Sequence, residues 1–301
     1  MPIFRPDLSG NAQGALWILA SVVGATAMTL AVRYLSAEIH TTMLAFLRSA
    51  LALVTVIPFL WTPRAVRRVR IAAWELHLAR GLMLSVALNA GFYAIWKLPL
   101  ATAAILFFLA PVFATVMAVP LLGERVGPRR WGAIAAGFLG TLIILRPGFG
   151  AFDPAMVAAV VSSMAFAGAL MTGRVIADRE GTEGIFVSSS VIVAVATLPP
   201  ALLYWEIPAA LWQWAGLAVL VLGSSLRTYA DIRAYAVGDA GFIAPFTYLR
   251  LVTVGLAGYI LFGESVDGAT LLGGAIIIAA TLYIAIRERQ KRGKPRPMQA
   301  P

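Results

Sequence analysis

The sequence predicts an all-α membrane protein: ten transmembrane helices arranged as two inverted five-helix repeats, residues 12–146 and 153–286, followed by a basic tail at 287–301. Three observations carry this. Of the 301 residues, 60% are hydrophobic and 13% charged, about half the charged share of an average soluble domain. The charges leave long apolar runs between them, and an ionised side chain in hydrocarbon costs at least about 2.5 kcal/mol. The chain also resembles itself at a displacement of 140 residues.

The charge-free runs are 8–32, 81–96, 98–123, 131–145, 154–173, 184–205, 207–226 and 268–286. Two more stretches, 39–63 and 240–263, are broken by Arg48 and Arg250 alone, and about 20 residues suffice to cross a core about 30 Å thick. The run 131–145 is the shortest, with Arg129, Arg130 and Arg146 placed to snorkel at its ends. The first run has no basic cluster before it and is too long for the apolar region of a signal peptide, so 12–31 is read as a retained span.

Alternate loops differ in charge. One side collects Arg5, Arg64, Arg67, Arg68, Arg70, Arg125, Arg129, Arg130, Arg174, Arg179 and the tail residues Arg287, Arg289, Lys291, Arg292, Lys294 and Arg296; the other receives Arg33, Lys97 and Arg146. The positive-inside rule puts the first side, and both termini, in the cytoplasm. The net charge of +10 is thereby explained by topology, and the tail is expected to contact anionic lipid, not nucleic acid. Cysteine is absent, and His40 and His77 are a whole helix apart, so neither a disulfide, a metal site nor a cofactor is expected.

At the 140-residue displacement Leu121-Leu122-Gly123-Glu124 falls on Leu261-Phe262-Gly263-Glu264, Tyr93-Ala94 on Arg233-Ala234, Ala101 on Gly241, Ala104 on Ala244 and Phe108 on Tyr248. Each half holds five spans. An odd number makes the second half enter the membrane from the opposite side, the plan of inverted-repeat carriers.

In Ala94-Ile95-Trp96-Lys97-Leu98-Pro99-Leu100-Ala101-Thr102-Ala103 leading to Ala110-Pro111, in Leu122-Gly123-Glu124-Arg125, in the glycines Gly137 and Gly140, and in Ala234-Tyr235-Ala236-Val237-Gly238-Asp239-Ala240 and Leu261-Phe262-Gly263-Glu264, the chain resembles the drug/metabolite transporter superfamily in its ten-helix, EamA-domain form. Within that superfamily it looks most like exporters of aromatic and other neutral amino acids. The resemblance implies a monomeric secondary transporter of a bacterial inner membrane, working by alternating access. It also implies a central cavity lined by helices 1, 3, 4, 6, 8 and 9, with helices 5 and 10 at the periphery. Arg48 matches an arginine common in the family and is expected to be structural.

Asn89, Tyr93 and Trp96 are spaced to share one helix face and offer an amide, a phenol and an indole to a zwitterion with an apolar ring. The competing reading puts Tyr93 and Trp96 in the interfacial aromatic belt. The repeat maps Asn89 onto Tyr229 and Phe108 onto Tyr248, so Asn89, Tyr93, Phe108, Tyr229 and Tyr248 form the expected substrate-binding set, with Trp17 of the first helix added; core packing is the alternative for Phe108, Tyr229 and Tyr248, and the interfacial belt for Trp17. Arg227, Asp231 and Arg250 are charges at membrane depth whose repeat mates, Ala87, Gly91 and Ala110, are small. They are expected to form a structural cluster between helices 8 and 9, with direct binding of a substrate carboxylate as the other possibility. Pro111 and Pro245 interrupt the backbone ladder and are expected hinges; the two Gly-Glu pairs read as helix terminations.

Two other cargoes remain open. A proton-coupled exporter of cationic drugs would resemble small relatives with a glutamate in the first helix, but 12–31 holds no acid. A carrier of sugar phosphates or nucleotide sugars would use cavity cations such as Arg227 and Arg250. An enzyme is not expected: Ser188-Ser189-Ser190 reads as lacking a histidine or acid at its depth, and no nucleophile or metalloprotease motif is present.

Overall fold

In hydrocarbon a backbone must satisfy its own hydrogen bonds, which makes helices of runs like these. The computed structural model describes residues 10–54, 69–123, 126–146, 153–180, 182–238 and 240–292. Among them are ten helices: α1 (Gly10–Leu35), α2 (Thr41–Leu53), α3 (Trp74–Lys97), α4 in two segments (Leu100–Phe107 and Ala110–Leu122), α5 (Pro128–Leu145), α6 (Pro154–Glu180), α7 (Glu183–Leu202), α8 (Leu211–Val237), α9 in three pieces (Ala240–Ile243, the 3-10 turn Ala244–Tyr248, and Leu249–Phe262) and α10 (Gly268–Arg292). Seven stretches within them are long and apolar enough to cross a membrane by length and composition. The last part of the expected 39–63 span, from residue 55, Glu124, Arg125, Asp239 and the loop arginines Arg5, Arg64, Arg67 and Arg68 lie outside the described residues, as do Lys294 and Arg296 of the tail.

The short run 131–145 gains a first turn from Pro128, Arg129 and Arg130, Pro128 being suited to a first turn because its missing N–H has no acceptor there. The helix of the seventh apolar run continues past Leu226 and carries Arg227, Asp231 and Arg233 within α8. Gly123 and Gly263 end α4 and α9 in the left-handed region at φ 65° and 64°, which glycine adopts without strain. The two prolines expected to act as hinges have a specific place: Pro111 lies in the first turn of the second α4 segment and Pro245 in the first turn of the 3-10 piece of α9. Each stands just after a break, where no helical donor is lost.

The most extensive packing joins α1 to α8, α3 to α6, and α5 to α10. Small residues let these backbones approach, since van der Waals contact replaces the hydrophobic effect between helices in lipid. A methyl added at Gly24 would lie 2.7 Å from the Gly223 carbonyl, and one added at Gly140 would lie 2.7 Å from the Gly273 carbonyl. Between α3 and α6, Ser162 Oγ donates to Ala87 O at 2.7 Å, and Ser163 Oγ reaches Leu106 O of α4 at the same distance.

The helix ends define two faces. On one, Arg33 meets Glu264, Arg146 meets Asp267, and His40 stacks on Tyr204 with ring centroids 3.6 Å apart. On the other, Glu180 meets the start of α3.

Candidate functional site

Two helices are broken in mid-course, and their breaks meet. In α4 the ladder is interrupted at Phe108 and Leu109; in α9 the 3-10 turn runs through Tyr248. The Phe108 and Tyr248 rings stack at 4.9 Å and 15°. Tyr248 is anchored from α10: its hydroxyl hydrogen-bonds Thr281 Oγ1 at 2.7 Å, which is also within bonding distance of Ile277 O. Tyr93 packs against the same cluster as Phe108 and touches Trp96 edge-on at 6.1 Å.

Two residues beyond Tyr248, Arg250 pairs with Asp231 of α8. Ser21, in the middle of α1, completes the group: its Oγ donates to Asp231 Oδ1 at 2.6 Å and accepts from Arg250 Nη2 at 2.5 Å. Beside it, Thr26 and Thr253 join α1 to α9 at 2.8 Å. Arg227 lies within electrostatic reach of Arg250, Asp231 and Arg48 of α2, so four helices converge on three guanidiniums and one carboxylate. The cluster expected between α8 and α9 therefore extends to α1, through Ser21, and to α2.

The EamA-like transporter family matches residues 12–146. An S-adenosylmethionine uptake transporter of Rickettsia bellii is 30% identical over 281 residues, 93% of this chain and 96% of that protein. The chain belongs to the EamA-like transporter family. Other relatives also span most of it: a riboflavin transporter of Vibrio cholerae, 28% identical over 94% of this chain and 96% of its own, and the pseudopaline exporter CntI of Pseudomonas aeruginosa, 29% identical over 88% and 92%. A solved crystal structure superposes with a TM-score of 0.59 over 94% of this chain and 99% of its own, at 18% identity, a likeness of fold alone.

This EamA-family chain divides the residues singled out from its sequence. Phe108 and Tyr248 meet where α4, α9 and α10 come together, and Tyr93 of α3 packs on the same core cluster as Phe108. Asn89 donates to Ser85 O at 3.0 Å and leaves its buried Oδ1 without a partner. Trp17 and Tyr229 form a separate pair, edge to face at 5.6 Å, with the Arg233 guanidinium over the Trp17 ring at 5.7 Å. Tyr229 is 55% exposed and lies on the side of α8 away from Asp231.

Two groups were not legible beforehand. Arg33 donates to Ile95 O at 2.9 Å, to Leu98 O at 3.3 Å and to Trp96 O, and its other nitrogen pairs with Glu264 Oε1 at 2.5 Å. Glu264 Oε2 in turn accepts the Leu100 N–H at 2.6 Å. A cation thus sits on the free carbonyls ending α3 and a carboxylate on a free amide starting α4, each at the helix pole that favours it. Gly263 ends α9 as expected, but Glu264 does more than follow it: it fastens α1, α3, α4 and α9 at one face.

The serine run also needs correction. His77 Nδ1 is 2.6 Å from Ser188 Oγ, and His77 Nε2 is 3.2 Å from Glu180 Oε2, so a histidine and an acid do stand at its depth. Glu180 also accepts the Ala72 and Ala73 N–H groups at 2.9 and 2.7 Å, and His77 is 1% exposed. The linkage ties the ends of α3, α6 and α7: the histidine comes from 111 residues before Ser188, and the acid from the end of the helix just before the serine run.

Proposed function

We propose that this chain is a secondary carrier of the bacterial inner membrane that exports neutral amino acids with aromatic or bulky side chains by alternating access, as a monomer with both termini cytoplasmic. The meeting of two broken helices at the Phe108–Tyr248 stack carries this reading, because discontinuous helices near the midplane are where inverted-repeat carriers hold cargo. An aromatic pair suits a flat apolar group.

The two halves, 12–146 and 153–286, are related in this reading by a pseudo-two-fold axis in the membrane plane. Several paired features support it. Phe108 and Tyr248 are mates at the 140-residue displacement, as are the left-handed Gly123 and Gly263 and the extended joints at Leu98 and Gly238. The two largest helix contacts, α1 with α8 and α6 with α3, exchange under the same operation. The face fastened by Arg33 and Glu264 is then the outer one, closed in this conformation, and the loop arginines lie inside.

A second reading follows from the relatives. An S-adenosylmethionine transporter matches nearly the whole chain at 30% identity, and that molecule joins an amino-acid head to a planar base, so the same ring and polar contacts would take it in the uptake direction. The test is counterflow into proteoliposomes loaded in turn with phenylalanine, methionine, S-adenosylmethionine, riboflavin, a hexose phosphate and a quaternary ammonium dye, with and without a pH gradient. Transient accumulation of labelled phenylalanine or methionine supports the first reading; S-adenosylmethionine alone supports the second; accumulation of the dye or the phosphate alone defeats both.

A further inference from the structure

Resting on the carrier reading, we infer that Arg48 and Arg227 form the carboxylate subsite of the central cavity, which restricts the cargo to molecules bearing that anion. Asp231 is shared between Arg250 and Ser21, and the Ser21 hydroxyl is itself shared with Arg250, so this acid serves one arginine. Among the described residues the Arg48 and Arg227 side chains have no ion pair or hydrogen bond, and Arg48 Nε is wholly buried without a partner. Two guanidiniums therefore stand in mutual electrostatic reach, without an ion-pair or hydrogen-bond partner, on α2 and α8.

Unpaired cations at membrane depth are unfavourable, and both arginines are only partly buried, so their free N–H groups are within reach of an anion. Packing does not explain these. Where this protein uses an arginine to hold helices together, at Arg33, the guanidinium meets three carbonyls and a carboxylate. Arg48 and Arg227 lack such partners, although Asp231 is close enough to Arg227 to act on it. The missing component is an anion that arrives and leaves. A planar fork of N–H donors matches a carboxylate oxygen for oxygen, and Arg227 opens the turn that presents Asp231, placing the subsite beside Arg250. A cargo with a carboxylate fills it, whereas an amine without the carboxylate leaves the arginines as they were.

The test uses the purified full-length protein and three phenyl compounds of similar size: 3-phenylpropionate, phenethylamine and phenyl phosphate. Ligand-dependent thermal protection in detergent reports binding, and uptake of labelled phenylalanine in proteoliposomes reports transport. We expect 3-phenylpropionate to protect the native protein and phenethylamine not to. We expect Arg227→Gln and Arg48→Gln each to weaken that protection by at least about tenfold, a value ordinary for losing one charge-assisted contact, with Arg227→Lys retaining part of it. Should Arg227→Gln fail to fold, Arg48→Gln and Arg227→Lys decide the matter. Equal protection by phenethylamine, preference for phenyl phosphate, or glutamine variants that bind 3-phenylpropionate normally would each overturn the subsite. Binding of 3-phenylpropionate that depends on both arginines, with no phenylalanine uptake, would uphold the subsite and count against the amino-acid reading alone.

Discussion

Two carboxylates in this membrane protein each hold an arginine from another helix, and they do so differently. At the face, Glu264 and Arg33 form a saturated group: the guanidinium has three carbonyls besides the acid, and the acid has a backbone amide besides the guanidinium. At mid-depth, Asp231 balances Arg250 with help from Ser21 but leaves Arg48 and Arg227 over. A saturated group has no use for a ligand and acts as a fastener, whose breaking and remaking can mark the opening of one face. An unsaturated group at the centre waits for one.

The largest effect expected from this contrast is at Asp231. Its removal leaves Arg250 uncompensated beside two further arginines, so Asp231→Ala should lose roughly 3 kcal/mol or more of stability, read as a lower melting temperature and lower yield. A well-folded Asp231→Ala protein deficient in transport alone would make the acid part of the cargo site. Glu264→Gln should behave in the opposite way: the fold persists, since the amide still accepts from Leu100, while the outer face closes less often. Because the natural chain has no cysteine, a single Leu100→Cys reporter can be labelled from outside with an impermeant maleimide. Labelling should rise several-fold when Glu264→Gln is added and stay constant if the pair has no bearing on closure.

Much of the framework was legible because hydrocarbon punishes charge wherever it falls, so charge-free runs mark helices without knowledge of their neighbours. The run 131–145 became α5 even though it is short, because Pro128 could begin it. The course of α8 past Leu226, with Arg227 and Asp231 on it, was readable too, whereas the break in α9 at Tyr248 was less accessible, since it depends on a 3-10 turn followed by a stacked partner. Phe108 and Tyr248 were singled out together through the repeat. Ser21, Arg33 and Glu180 were not, because each earns its place from residues far along the chain, and nothing in the local pattern of a serine in α1 tells which helix it faces.

Helix approach offers an intermediate effect. Gly24→Ala would push a methyl to 2.7 Å from the Gly223 carbonyl and 2.9 Å from the Arg227 nitrogen, both backbone atoms with little room to yield. Overpacking of this kind costs about 1 to 3 kcal/mol, and because it displaces the helix that carries Arg227 it should weaken phenylalanine uptake as well as thermal stability. Unchanged melting would mean that α1 and α8 slide apart freely. The smallest effect belongs to the face: Arg146 and Asp267 pair with side chains 45% and 52% exposed. The Asp267 carboxyl is held below its usual range mainly by the Thr270 side chain and backbone N–H, with Arg146 a lesser cause. Arg146→Gln should therefore change stability by less than about 1 kcal/mol, measured by the same melting assay.

The most direct measurement of the central claim is selectivity in proteoliposomes carrying Phe108→Ala or Tyr248→Ala, comparing phenylalanine, methionine and threonine. Each ring adds about 0.5 to 1.5 kcal/mol beyond its buried area, so each variant should carry phenylalanine several-fold more slowly while threonine changes little, at normal protein levels. Unchanged rates and unchanged preference in both variants would place the cargo away from the broken helices and contradict the account.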